Sequence, residues 1–403
     1  MFFNRKAIAV WVPALLAVLS TAVFLSNPEQ VFQAASTGVE IWWKVVFPAL
    51  MPYFMLTELL LASGLLHFCG RLATPITGPL LGLPGSALWA LFSGWIGGYP
   101  AGAKATAVLS QQGIIQKQQS ERLLALSHAA APALIATVIA VGFFRMPQLA
   151  LPLLLIHWGS LLAMAVLLAW LVPQPRQAVP ESSESLWKQA RLDMQRARQE
   201  DGRSLGQLLG DTVKHAIEQL FAIGGILIFC SVAAAMLRQL LPPLHTAAGE
   251  AWISALLEVH LGARQLADMP QQEVKLTMAA IGALLGFSGL SMLLQVRALV
   301  ARTGIRFRIF FYSRLMHAAL AFGLTLVIWE PLLRFLQRTA IPALASGWPV
   351  SAQGGQDMES LYVWAVAAPA LSAALFGTVV ACSALLLGVK RAGHRLAHLF
   401  RRF

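Results

Sequence analysis

The sequence predicts an all-α protein that crosses a membrane several times. Of its 403 residues, 57% are hydrophobic and 12% are charged, and the mean hydropathy is +0.66. Soluble globular chains carry about 25% charged residues, so much of this molecule's surface faces something other than water. The apolar stretches are continuous over about 20 residues, the length of a membrane-spanning helix. They differ from the short alternating strands of an outer-membrane barrel.

Apolar stretches of spanning length recur along the whole chain. Six stretches are predominantly apolar over the length of a span: 7–26, 121–144, 150–172, 216–241, 310–329 and 361–389. Three more, 42–66, 75–109 and 275–300, are apolar, but we expect their Pro and Gly residues to break the helix. We therefore expect about seven or eight spans, with further segments that enter the membrane and return on the same side.

The positive charge of the chain lies at the borders of these stretches. The formal net charge is +12, and Arg5 and Lys6 precede the first predicted span. Five basic residues follow the last one: Lys390, Arg391, Arg395, Arg401 and Arg402. This pattern follows the positive-inside rule and predicts cytoplasmic termini in a bacterial inner membrane. It is not the basic surface of a nucleic-acid-binding protein, so the lipid bilayer is the expected partner.

A polar segment divides the chain into two membrane halves. The three cysteines, Cys69, Cys230 and Cys382, lie in or beside apolar stretches and indicate neither a disulfide framework nor a metal site. The predicted units are an N-terminal transmembrane helix (1–40), a first membrane half with an extra helix (41–172), a cytoplasmic connector (173–215), a second membrane half (216–335), and a C-terminal transmembrane helix with a basic tail (336–403).

An internal repeat relates the two halves. Residues 98–114 align without a gap on residues 289–305, with Gly, Ala, Gly and Ile at four shared positions. In both halves a Gly-rich break precedes a helix, and a later apolar span contains a histidine, His128 or His317. The segments 53–66 and 252–266 are poor spans and each contains a Glu. We predict two repeats, each made of a re-entrant hairpin, a broken helix and a helix, in parallel or inverted orientation.

The first break is rich in helix-disrupting residues: Gly97, Gly98, Pro100, Ala101 and Gly102. An unwound helix inside a membrane exposes amides and carbonyls that need a partner, and a substrate or an ion can be that partner. Lys104 follows the break, and we expect it to face protein because a charge among lipid tails is costly. The alternative is a simple Pro/Gly kink, with Lys104 reaching to the membrane interface.

The second break, at Gly286, Ser288, Gly289 and Ser291, offers hydroxyl groups to a polar ligand or to a cation. The alternative is that these serines bond to their own helix. Glu58 and Glu258 are the candidates for coupling to H⁺ or Na⁺, because carboxyl groups are rarely kept inside a bilayer without a function. Glu258 shares its segment with His260 and Arg264, which cannot face lipid.

These motifs resemble a known family. Residues 98–104 (Gly-Tyr-Pro-Ala-Gly-Ala-Lys), followed by Gly113-Ile-Ile and Glu121-Arg-Leu-Leu, are similar to the sporulation integral membrane proteins of the YlbJ type. Those proteins carry the nucleoside-recognition, or Gate, domain. Leu257-Glu258, Gly262 and residues 286–291 resemble the family's second half, and the similarity extends over about residues 40–330.

The resemblance implies a fold like that of concentrative nucleoside transporters and a link to spore formation. By this analogy Glu58 and Glu258 would face a central substrate site. Its lining would be Gly98, Pro100, Gly102, Lys104, Gly286, Ser288, Gly289 and Ser291. The word "nucleoside" reaches this chain through the shared fold alone, and a fold does not establish a substrate.

Three functions fit the sequence. The first is a secondary transporter of a small polar, possibly nucleoside-like solute, coupled to H⁺ or Na⁺ and without another cofactor. The second is a membrane scaffold or gate of a larger complex, in which the carboxyl groups and Lys104 tolerate neutralisation. The third is an intramembrane serine protease with Ser288 as nucleophile and His317 as general base. Homo-oligomerisation stays open.

Overall fold

The computed structural model describes residues 24–171, 185–240, 246–269 and 274–338, and some positions between 11 and 22. All regular elements in these ranges are helices, which confirms the all-α prediction. Five helical segments are long and apolar enough to cross a membrane: Pro28–Ala62, Pro147–Ala169, Leu205–Gln239, Val274–Val300 and Phe307–Leu336. The predicted span 361–389 and half of the predicted span 7–26 lie outside the described residues.

The first half runs from α1 to α7. Its elements are α1 (Pro28–Ile41), a π-helical turn (Trp42–Val46), α2 (Phe47–Ala62), α3 (Leu65–Leu81), a 3-10 turn (Gly85–Ala87), α4 (Leu88–Gly97), α5 (Ala101–Gln111), α6 (Lys117–Ser127), a π-helix (Leu134–Phe143), a 3-10 turn (Pro147–Leu149) and α7 (Ala150–Leu171).

The connector and the second half run from α8 to α14. Their elements are α8 (Leu186–Asp201), α9 (Leu205–Leu240), α10 (Ala247–Leu257), α11 (Val259–Asp268), α12 (Val274–Phe287), α13 (Leu290–Val300) and α14 (Phe307–Arg338). Because α9 begins at Leu205, the long helix of this half reaches into the connector that the sequence predicts at 173–215.

The helix formed by α1 and α2 corrects the predicted hairpin at 53–66. Pro48 and Pro52 favour a break, yet the helix continues from Pro28 to Ala62. The π-helical turn accommodates them, because Phe47 N donates to Trp42 O and so widens the turn just before the first proline. The indole Nε1 of Trp42 donates to Leu220 O on α9 at 2.8 Å, which attaches this turn to the second half.

The stretch 121–144, predicted as one span, is instead interrupted. It forms α6 and the π-helix Leu134–Phe143, and residues 128–131 between them are not helical. Pro132 explains the interruption, since proline lacks an amide donor and disfavours helical geometry in the residue before it. Neither piece alone is long enough to cross a bilayer.

Part of the connector is a helix packed on the first half. The hydroxyl of Ser185 caps α8 by accepting from Lys188 N, and Gly202 ends it with φ +64°. Arg71 Nε on α3 lies 2.6 Å from Asp193 Oδ2 on α8, and Phe68 contacts Trp187 edge-on. This helix is therefore held by protein contacts on one side.

The two halves share one core. The largest cluster of buried apolar side chains includes Trp42, Leu134 and Leu153 from the first half and Met278 and Trp329 from the second. An ion pair also crosses between the halves. Arg306, just before α14, donates from Nε and Nη2 to the two carboxylate oxygens of Glu121 on α6, each at 2.7 Å. Arg306 N also donates to Glu121 Oε1, at 3.1 Å.

This ion pair generates a stability prediction. We expect Arg306→Gln to lower the Tm more than the double variant Glu121→Gln/Arg306→Gln, because only the single change leaves a buried carboxylate unpaired. The measurement is thermal unfolding of purified protein, followed by tryptophan fluorescence. Arg308→Gln, at an exposed position nearby, is the control. A Tm of Arg306→Gln equal to that of the control would contradict the prediction.

Candidate functional site

Four interruptions of helical structure meet in the interior of the described part of the chain. They lie at residues 98–100 between α4 and α5, at 128–131 after α6, at 258 between α10 and α11, and at 288–289 between α12 and α13. A Cβ atom added to Gly98 would lie 2.7 Å from Ala131 Cβ, and one added to Gly289 would lie 3.1 Å from Glu258 Cα. Each half thus brings two interruptions into backbone contact.

Two side-chain contacts join the pair of interruptions in the first half to the pair in the second half. His128 Nε2 lies 3.0 Å from Ser288 Oγ. Tyr99 OH donates to Leu285 O at 3.3 Å, and the Tyr99 ring stacks on His128 with centroids 4.7 Å apart. The backbone at Gly98 and Gly289 has φ +73° and +82°, which a residue with a Cβ adopts only with strain. Glycine at both positions permits the close approach.

A cavity of about 40 Å³ lies where these breaks meet. Its walls are mostly apolar, and its polar lining consists of Tyr99, Glu258, His260, Ser291 and Gln295 together with the backbone at Gly97 and Gly98. This volume holds a few water molecules at most. A larger solute therefore enters only if the surrounding segments move apart.

Glu258 and His260 form the charged part of this lining. Glu258 has an extended backbone, with φ −153° and ψ +136°, and its Oε2 caps α11 by accepting from Leu261 N at 2.9 Å. Its Oε1 lies 2.7 Å from His260 Nδ1. Both side chains are buried. Arg264 lies in the same helix but pairs with Asp268, at 2.7 Å.

The contacts of Ser288 argue against the protease hypothesis. Ser288 is fully buried and adopts φ +71°, a strained conformation for a residue other than glycine. Its hydroxyl contacts His128, whereas His317 Nε2 contacts Ser160 Oγ at 3.0 Å and His157 O at 3.2 Å. The predicted pair of Ser288 and His317 is not formed, and a peptide has no access to the serine.

Arg314 is the residue near the breaks that sequence reasoning missed. Its guanidinium is fully buried and donates to His128 O at 2.6 Å and to Ala125 O at 2.5 Å. These are carbonyls at the end of α6, where no following turn supplies amides. No carboxylate of the described residues lies within ion-pair distance of Arg314. A lone arginine inside the predicted span 310–329 was the signal that could have revealed it.

Other side chains fill the same role at this break and at the end of α4. Tyr53 OH donates to Ile96 O, and Trp95 Nε1 donates to Leu126 O at 2.7 Å. His157 Nε2 accepts from Ala130 N at 3.0 Å. Each of these donors or acceptors comes from a different element than the backbone group that it contacts.

The other predicted glycines around the breaks have packing roles. A Cβ on Gly102 would lie 2.4 Å from Ser127 O, and one on Gly286 would lie 2.7 Å from Ala318 N. Each glycine therefore lets a neighbouring backbone approach closely. Pro100 follows a cis peptide bond and precedes the first residue of α5.

Lys104 does not face the protein interior, which corrects the prediction. Its side chain is exposed, on the same face of α5 as Val108 and Gln111. The buried face carries the small residues Gly102 and Thr106 instead, and it packs on α4 and α6. Helical periodicity thus places Lys104 away from the breaks.

Glu58 also lies away from the cavity, contrary to prediction. Its Oε1 lies 3.4 Å from Arg203 and 3.3 Å from His215, where α2 meets the start of α9. Arg203 also pairs with Asp201 and Asp211, and its hydrogen bonds hold the pKa of Asp201 below the ordinary value. Because α2 is a continuous helix, Thr57 faces Gly97 and the next residue turns toward the connector.

Arg314 generates a second stability prediction. We expect Arg314→Gln to lower the Tm, because two buried carbonyls lose their donors at about 1–3 kcal/mol each. Arg314→Lys should restore little of this, since an ammonium cannot serve both carbonyls in the guanidinium geometry. Arg308→Gln on the exposed face of α14 is the matched control. If Arg314→Gln unfolds at the temperature of that control, the capping role is wrong.

Comparison with known proteins agrees with these observations. The family model described as nucleoside recognition (Gate) matches residues 43–150, a range that extends from the π-helical turn to the first residue of α7. No solved structure shows significant similarity to the chain.

A curated relative matches most of the molecule. The chain is 32% identical over 349 residues to the "Sporulation integral membrane protein YlbJ" of Bacillus subtilis (strain 168), a match that covers 82% of this chain and 85% of that protein. The resemblance predicted from the motifs is thereby confirmed. This chain belongs to the family of the sporulation integral membrane protein YlbJ.

Proposed function

We propose that this protein is a secondary transporter of a small polar solute, and that the solute binds where the four helix breaks meet. The observation that carries the proposal is the convergence of the breaks on a cavity lined by Glu258 and His260. Transporters commonly place their sites at unwound helices near the middle of the membrane, where free backbone groups and helix ends contact the substrate.

The helical pieces support a re-entrant arrangement. The pair α10 and α11 has 11 and 10 residues, and Gly262 lies against Ala255 across the turn at Glu258. Helices of this length rise about 15 Å, half the hydrocarbon thickness. Helix α6 and the π-helix that follows it are equally short, with 11 and 10 residues. In our proposal both pairs enter the membrane as hairpins and return.

Local conformation supports the proposed internal repeat. In the first half Gly98 precedes the 11-residue helix α5, and Gly113 follows it with φ +70°. In the second half Gly289 precedes the 11-residue helix α13, and Gly304 follows it with φ +70°. The order of the pieces differs, however, because the short pair follows the broken helix in the first half and precedes it in the second.

The relative's name adds a cellular context to the proposal. We extend a role in spore formation to this chain because its relative is named a sporulation integral membrane protein. Movement of a small solute across a membrane of the developing spore would connect the proposed transport activity with spore formation. A scaffold without transport activity is the alternative, and the uptake experiment separates it from transport.

The proposal predicts coupled uptake that depends on Glu258. We expect proteoliposomes with the purified protein to accumulate one solute from a radiolabelled panel of nucleosides, nucleobases and carboxylates when a proton or sodium gradient is imposed. Glu258→Gln should abolish the gradient dependence while the Tm shows a folded protein, because it removes the charge and keeps the shape. Glu250→Gln in the same hairpin, where Glu250 pairs with Arg238 instead, is the control. Uptake from none of the panel would favour the scaffold.

The positive-inside rule predicts a cytoplasmic connector. A single cysteine placed at Gln199, an exposed position on α8, should react with a membrane-impermeant maleimide only after the inner membrane is opened. The background for this test replaces Cys69, Cys230 and Cys382 by serine. Labelling of intact spheroplasts would place α8 outside the cytoplasm and reverse the predicted orientation.

A further inference from the structure

We infer that the coupling ion of this transporter is a proton and that His260 binds it on Nε2, with Glu258 positioning the ring. The inference rests on the proposed transport function and names the ion and the atom that carry the coupling. Of the nine histidines in the chain, the sequence marks His260 only as a residue that cannot face lipid; the structure shows its contact with Glu258.

The contacts of His260 determine which ring nitrogen is free. Nδ1 lies 2.7 Å from Glu258 Oε1, and a carboxylate only accepts hydrogen bonds, so the neutral ring holds its proton on Nδ1. Nε2 then carries a lone pair. This nitrogen is buried and has no hydrogen-bond partner among the described residues, and the His260 side chain, which is 8% exposed, lines the cavity. A lone pair on the cavity wall can accept a proton, and the resulting N–H can donate a hydrogen bond to water or a solute in the cavity.

The negative charge of Glu258 favours protonation of the His260 ring. Among the described residues His260 is the single ion-pair partner of Glu258. While the ring is neutral, the buried carboxylate is uncompensated, which is unfavourable in an apolar interior. A proton on Nε2 converts the pair into imidazolium and carboxylate. The pair is then neutral overall, so that the buried site favours the protonated state.

The neighbouring elements contribute no competing cation. The helices packed on α11 are α10, α12, α9 and the π-helix Leu134–Phe143. On α10 Glu250 pairs with Arg238 of α9, and on α11 itself Arg264 pairs with Asp268. Lys275 lies at the first turn of α12, and the π-helix carries no titratable side chain. Tyr99 and the thiol of Cys230 are the other titratable groups whose electrostatics involve Glu258.

The same geometry disfavours a sodium ion. Hard cations bind several oxygen atoms and avoid imidazole nitrogen. Here both oxygens of Glu258 already accept hydrogen bonds, one from Leu261 N and one from the His260 ring. In the proposed cycle hydronium on one side transfers its proton to Nε2 and is left as water, the N–H bond forms without any redox change, and the proton is released to water on the other side as hydronium.

The test is a pH titration of the His260 ring by solid-state NMR on the full chain in lipid bilayers. Val259-His260 is the one Val-His step in the sequence, so valine labelled with ¹³C and histidine labelled with ¹⁵N identify this residue without a mutation. We expect the ring to carry a proton on Nδ1 alone in alkaline buffer and on both nitrogens in acidic buffer. Replacing choline chloride by sodium chloride should leave the titration unchanged.

Two variants sharpen the test. Glu258→Gln should lower the titration midpoint by about one pH unit or more, because the neighbouring negative charge is lost. His215→Gln, at an exposed histidine that contacts Glu58, should not change it. A ring that keeps a single proton over this range, or a midpoint that moves with sodium, overturns the inference.

The titration does not depend on an identified solute, so the two proposals fail separately. Sodium-driven uptake with a ring that does not titrate would overturn the proton site and leave transport standing. A titrating ring without uptake of any solute would refute coupled transport, and the inference about coupling would fall with it. Proton-driven uptake that disappears in His260→Gln, while solute exchange without a gradient persists, would support both.

Discussion

Inside a bilayer every backbone amide and carbonyl has to find its hydrogen-bond partner within the protein, because the hydrocarbon offers none. In the part of the chain that the structure describes, helices are interrupted four times at one place in the interior, so backbone groups there need partners from elsewhere in the protein. The ends of α4, α6, α10 and α12 all leave backbone groups that no following turn can satisfy. The arrangement of the core follows from how those groups are paired.

The partners come from other elements, which makes the breaks depend on one another. Arg314 of α14 serves the end of α6, and Trp95 of α4 serves the same end. Tyr53 of α2 serves α4, and Tyr99 serves α12. A movement that separates two breaks must therefore exchange these hydrogen bonds for others. The substrate and water are the natural replacements, which links opening of the cavity to binding.

Close backbone packing completes this arrangement. A Cβ on Gly94 would lie 1.7 Å from Ser127 O, so any side chain there would displace the end of α6 from α4. The same carbonyl lies 2.4 Å from the Cβ position of Gly102 on α5. Glycines on both sides of the first break let the end of α6 lie directly against the broken helix. The contact between Gly289 and Glu258 has the same character in the second half.

The distribution of charge separates two kinds of acidic group. Glu58 lies in a network at the start of α9, where Arg203 and His215 both contact its carboxylate. Glu258 has one partner, a histidine that is neutral until it binds a proton. The first arrangement is suited to holding the connector against α2. The second is suited to a change of protonation.

Composition and the long apolar stretches determined that this chain is an all-α membrane protein, because bilayer thickness sets the length and hydrophobicity of a span. The Gly and Pro residues also indicated the breaks at 98–100 and 288–289, because their backbone preferences act locally. The rarity of acidic residues in apolar segments singled out Glu258, because the cost of burying a charge belongs to that residue itself. The tertiary structure alone decided which residues meet. It turned Lys104 outward, moved Glu58 to the connector, paired Ser288 with His128 and placed Arg314 at the end of α6. These outcomes depend on the continuity of α2 through its prolines and on the rotation of each helix about its axis. Packing against distant parts of the chain sets both.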